Sequence, residues 1–171
     1  MRKIFPTFFG AFLAVLVTTT HGTQAGYYSN TALLGKVEAV EVVIEDSVTD
    51  LCLPRPNSLR NEAEYILKRM GIQVLKDARY KLQITPAGFE LKEGGGEPSG
   101  FCVASLEISL WSVQHLLEGD AAVVPAANTV STHVGAKETF QDQLRKTVNY
   151  VVTYITNDIL EARTKASFQP K

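Results

Sequence analysis

Phe101-Cys102-Val103-Ala104-Ser105-Leu106-Glu107-Ile108-Ser109-Leu110-Trp111 is the stretch that decides the fold. In an extended chain Cys102, Ala104, Leu106, Ile108 and Leu110 share one side, and Ser105, Glu107 and Ser109 share the other. So strict an alternation describes a strand with one face on a core and one face in water, which is the habit of antiparallel sheets. The core face needs a cover, and two segments fit that need. In the first, Leu59, Ala63, Ile66, Leu67 and Met70 recur at helical spacing. In the second, Phe140, Leu144, Val148, Val151, Val152, Ile155 and Ile159 form one stripe between about Glu138 and Arg163.

Working outward, Tyr80 to Ile84 alternates and predicts a strand with Tyr80, Leu82 and Ile84 inward. Thr85-Pro86-Ala87-Gly88 is expected to break it, and Phe89 to Lys92 to start another extended arm. Glu93 to Gly100 reads as a flexible loop. Two extended pieces, Ala122 to Val124 and Thr129 to Val134, flank Pro125. Lys36 to Glu45 is rich in β-branched residues and predicts a strand with Val40, Val42 and Ile44 on one face. Its second face is half apolar, so that strand is expected to be central or covered. Asn57 or Ser58 is expected to cap the first helix, with Gly71 as its left-handed terminator. Ile72 to Leu75 is a short strand candidate, and Gly26 to Gly35 an irregular lead-in. The expected fold is an α+β two-layer sandwich: a mainly antiparallel sheet of about four to five strands under two amphipathic helices, in the order β-α-β-β-β-β-α.

The chain has 171 residues, 17 Lys plus Arg and 18 Asp plus Glu, for a net charge of −1. That balance provides no basic field for a nucleic-acid backbone. A 45% hydrophobic fraction with 20% charged residues is the profile of a packed domain, not a disordered chain. The first residues have a special order. Arg2 and Lys3 precede an apolar run from Phe8 to Val17, and a polar stretch with Thr23 and Ala25 follows. This is the layout of a secretory signal peptide cleaved after Ala25, and the apolar run falls short of the roughly 20 residues that span a bilayer. Cleavage would leave 146 of the 171 residues and a charge of −3, since two bases and no acid depart. Residues 26–163 would then be a single domain and 164–171 a flexible tail, with no membrane span after cleavage. In an exported chain the even pair Cys52 and Cys102 predicts a disulfide, with free buried thiols as the alternative.

No catalytic motif is complete. Gly94-Gly95-Gly96 lacks the Lys-Ser/Thr of a phosphate loop and is flanked by acids, so a hairpin tip is the expectation. His115 and His133 are the two histidines that survive cleavage; with Glu118 or Asp120 they could form a metal site, but no ligand spacing links them. Glu62 and Glu64 sit two apart and cannot share a helix face. The reading is therefore no catalytic residue, no metal and no cofactor. Tyr150 and Tyr154 flank the apolar stripe of the last helix beside Thr147, with Gln143 and Glu161 nearby. They are candidate partner-binding residues, because Tyr suits interfaces; the alternative is a wide core face with hydroxyls reaching water.

Leu59 to Ile84 holds a helix, a Gly71-Ile72-Gln73-Val74 restart and the alternating Tyr80 to Ile84 strand. This unit, with a C-terminal amphipathic helix, resembles small bacterial periplasmic envelope-assembly accessory proteins of the curli-export and lipopolysaccharide-transport lipoprotein type. The lipid-anchoring Cys of that type is missing here. The secretion signal, the compact fold, the expected disulfide and the missing catalytic constellation lead to the expectation of an exported, non-enzymatic protein, periplasmic or secreted, that binds a protein partner in the envelope. The alternatives are a small secreted enzyme with a site around His115 or His133, and a secreted inhibitor or effector using Glu93 to Gly100.

Overall fold

A computed structural model describes residues 25–115 and 121–167. The order is β1 (Ala25–Ser29), α1 (Thr31–Leu34), β2 (Ala39–Ile44), β3 (Ser47–Val48), α2 (Asn57–Arg69), β4 (Gln73–Val74), β5 (Tyr80–Lys92), β6 (Pro98–His115), β7 (Ala121–Ala136) and α3 (Lys137–Ser167). One seven-stranded sheet runs β1-β7-β6-β5-β2-β4, with β3 beside the far half of β5. The α+β class and the helix-covered sheet are as expected. The strand count is higher and the sheet is mixed. β1–β7, β6–β7 and β5–β6 are antiparallel, while β2 lies parallel to both β4 and β5.

The alternation in β6 sets the register. Leu82, Leu110 and Ala127 stand side by side across β5, β6 and β7, as do Ile84, Ile108 and Thr129. All six are buried under the helices. The stripe of α3 closes over them, with Phe140, Leu144, Val148, Val152 and Ile159 fully buried. A β-branched residue in a helix costs at most about 0.7 kcal/mol against Ala, whereas burying a Val or Ile side chain gains roughly 1.5–3 kcal/mol. Packing therefore overrides propensity, and this Val- and Ile-rich segment is a helix.

Four expectations are corrected. First, β5 does not stop at Thr85-Pro86-Ala87-Gly88; it runs through to Lys92. Ile84 and Gly88 accept from the N–H groups of Glu45 and Thr49, so the missing N–H of Pro86 faces the break between β2 and β3, where the strand pairing is interrupted. Second, β7 is continuous: Pro125 pairs with Trp111 and Ala127 with Leu110, and the register shift between them takes up Ala126. Third, neither Asn57 nor Ser58 caps α2. Pro56 is already helical (φ −57°) and makes no side-chain cap, and the N–H groups of Ser58 and Leu59 donate to the carbonyls of Arg55 and Pro56. Fourth, Gly26 to Gly35 is ordered as β1 and α1, with the Asn30 side chain accepting from the N–H of Leu33. Gly71 does end α2, with φ +82°. α3 continues to Ser167, past the expected boundary at residue 163.

Cys52 and Cys102 are joined by a disulfide with Cα atoms 5.9 Å apart, and both are fully buried. The bridge ties the loop after β3 to the central strand β6.

Candidate functional site

β1 and α3 meet at the β7 edge of the sheet. Tyr27 pairs with Thr129 of β7, a position on the helix-covered face, and this points the Tyr27 ring at α3. Its hydroxyl donates to Asp158 Oδ2 at 2.7 Å. Tyr150, Tyr154 and Asp158 stand four residues apart along α3 and so share one helix face. The Tyr27 and Tyr154 rings meet edge to face, with centroids 4.7 Å apart and planes at 87°. Tyr27, Tyr150, Val151 and Tyr154 enclose a groove of about 200 Å³. Val151 is its buried floor, while Tyr150 and Tyr154 are 62% and 46% exposed. Burial, and then the hydrogen bond to Asp158, push the Tyr27 hydroxyl far above the usual tyrosine range, so it stays a donor.

The two tyrosines singled out in the sequence thus lie together beside a third. Thr147 turns its hydroxyl back to the Gln143 carbonyl, and Glu161 pairs with Lys165 at 2.6 Å. Neither belongs to the groove. Sequence reasoning missed Tyr27 and Asp158. The four-residue step from Tyr154 was the available signal for Asp158. Nothing local signals Tyr27, which reaches α3 through a strand pairing about a hundred residues away in sequence.

The histidines do not converge. His133 pairs with Ala104 of β6, and the His115 backbone lies eleven residues further along that strand, opposite Ala121. At about 3.3 Å per residue the two positions are roughly 35 Å apart along β6. The His133 ring is buried, and its Nε2 shares a hydrogen bond with Ser131 Oγ at 2.8 Å. Burial lowers its pKa and favours the neutral imidazole. Among the described residues no carboxylate bonds its ring, so this Ser–His pair is half of a nucleophilic arrangement. Glu118, Asp120 and the His115 side chain lie outside the described residues. Among the described residues no three His, Cys, Asp or Glu side chains gather as a metal site. The expected Glu93 to Gly100 loop is a shorter hairpin turn, Glu93 to Glu97, with the N–H of Glu93 donating to Glu97 and that of Gly96 to Glu93; Pro98 to Gly100 already belong to β6. One of the three glycine amides a phosphate would use, that of Gly96, is thus already engaged.

No protein-family model and no curated protein matches the chain. Solved structures similar to it include a PelC dodecamer from Paraburkholderia phytofirmans, 18% identical, covering 80% of this chain and 98% of that one with a TM-score of 0.49. A minor lipoprotein from Acinetobacter baumannii is 14% identical over 72% of this chain and 92% of that one, with a TM-score of 0.38. Rare lipoprotein B from Shewanella oneidensis is 10% identical over 73% and 96%, with a TM-score of 0.30. No residue's role is transferred from any of them.

Proposed function

We propose that this is an exported, non-enzymatic protein of the bacterial envelope, periplasmic or secreted, that binds a protein partner through the groove of Tyr27, Tyr150 and Tyr154. The carrying observation is the groove itself: Tyr150 and Tyr154, each more than 45% exposed, line it over a buried apolar floor, with the Tyr154 ring set against that of Tyr27. Tyrosines half-fixed in this way lose little side-chain freedom when a partner covers them, which is why Tyr is favoured at interfaces. Export is supported by the basic-apolar-polar order of residues 1–25 and by the buried Cys52–Cys102 bridge, a bond characteristic of oxidising compartments. An enzyme reading has little to rest on among the described residues: the Ser131–His133 pair is buried, and Ser131 is the side chain that His133 bonds there.

Two measurements test this reading. The amino terminus of the exported protein should be Gly26; an intact leader would overturn cleavage after Ala25. In envelope extracts, the wild type should retain a partner that the Y150S/Y154S double variant loses while its thermal unfolding midpoint stays unchanged. Retention by both proteins removes the groove as the contact. A large fall in the midpoint would instead assign both rings to the core.

A further inference from the structure

A negative charge stands beside the groove: Asp158 is not one of its lining residues but bonds the hydroxyl of Tyr27, which is. Asp158 accepts from Tyr27 through Oδ2, which leaves Oδ1 with acceptor capacity. Among the described residues no Lys, Arg or His nitrogen lies within 4.0 Å of either oxygen; the ion pairs of α3 are Asp142–Arg145 and Glu161–Lys165, with Lys137 reaching Glu90. The neighbouring Tyr27 hydroxyl remains protonated, so it adds no competing charge and points its proton at the acid. A carboxylate next to an aromatic groove attracts a cation through its charge, and the negative faces of the rings add to that attraction.

The size narrows the guest. At about 200 Å³ the groove is below the roughly 300–1,000 Å³ usual for cofactors and drug-sized ligands. It suits one side chain. The walls also form a corner, since the Tyr27 and Tyr154 planes are nearly perpendicular, so a guest meets the face of one ring and the edge of the other.

We propose, resting on the partner-binding reading above, that the groove receives a basic side chain of the partner protein, an Arg or Lys seated against Tyr150 and Tyr154 with its charge on Asp158. The planar guanidinium of Arg is the better fit, because it stacks on a ring while its N–H groups reach a carboxylate. The partner surface would then be locally basic around one anchoring residue.

Titration with three probes tests this, followed by the tyrosine ring resonances in NMR. The probes are the peptide Gly-Arg-Gly, the same peptide with citrulline, which keeps shape and loses charge, and choline as the cation of a lipid headgroup. The Arg peptide should shift the Tyr150 and Tyr154 signals and bind at least tenfold more tightly than the citrulline peptide. D158N keeps an acceptor for the Tyr27 hydroxyl, so the protein should fold and lose at least tenfold in Arg-peptide affinity. Y150S, which leaves the Tyr27–Asp158 bond alone, should weaken the same binding and serves if D158N is unstable. Equal binding of the citrulline peptide, or unchanged binding by D158N, overturns the cation assignment. Tighter binding of choline than of the Arg peptide overturns the protein side chain as the occupant. These outcomes are separable from the reading beneath them: loss of the envelope partner by Y150S/Y154S but not by D158N would leave the groove as the contact and remove the cation.

Discussion

Gly88 lies opposite Ala104 in the β5–β6 ladder, on the face that the helices cover. A Cβ there would stand 2.5 Å from the Ala104 Cβ and closer still to the Val103 carbonyl. Its backbone is ordinary, so space and not conformational freedom requires the glycine. G88A should cost about 1–3 kcal/mol, the usual penalty for overpacking, read as a lower midpoint in urea. His133 makes a different kind of prediction. Burial depresses its pKa, so the unfolded chain takes up a proton near pH 6.5 while the folded chain does not. Stability is then full above about pH 6.5 and falls on acidification, by at most about 1.4 kcal/mol per pH unit for this one group. Urea midpoints measured from pH 7.5 to 5 should fall for the wild type and flatten for H133Q. An equal slope in both proteins would place the acid sensitivity elsewhere.

At the scale of elements, α3 separates two kinds of side chain that its sequence interleaves. Leu144 is fully buried and Tyr150 largely exposed, although both lie on the same helix. L144A should cost about 2–5 kcal/mol through lost burial and the cavity it leaves, while Y150S should change stability by no more than about 0.5 kcal/mol. Two urea curves decide it, and comparable losses would mean that the groove is part of the core. This helix, α2 and the inward faces of β2, β5 and β6 were legible in the sequence, because each carries its own period of 3.6 or 2. Elements whose reason is another element were not legible. Pro86 reads as a strand breaker until β2 and β3 are seen to leave a gap beside it. β1 has no strong period and exists by pairing with β7. The outward row Phe89, Val103 and Val134, with Phe101 close by, is scattered through the sequence and becomes one apolar patch only when three strands are in register. The tyrosine groove falls between these cases: a helical period places Tyr150 beside Tyr154, but their third ring comes from the far end of the chain.

For the whole molecule, the Cys52–Cys102 bridge constrains how the halves of the chain find each other. It closes a loop spanning 50 residues of sequence separation, from the entry to α2 to the middle of the sheet. Within that loop lie α2, β4 and all of β5, so the bridge encloses the parallel crossover from β2 to β5. Such crossovers are long-range pairings that must offset loop-closure entropy before any contact forms. The chain-entropy estimate for this loop is about 4 kcal/mol, a large part of the 5–15 kcal/mol that holds an ordinary domain together. Both sulfurs are fully buried, so reduction requires opening of the core, and the bond should survive mild reductant while the protein is folded. The C52S/C102S double variant should therefore unfold at clearly lower urea, with a loss of roughly 2–5 kcal/mol. Reductant should reproduce that shift in the wild type only at urea concentrations where the chain already opens. If the double variant and the wild type unfold together, the bridge contributes nothing net, and the stability of the sheet rests on the α2 and α3 packing alone.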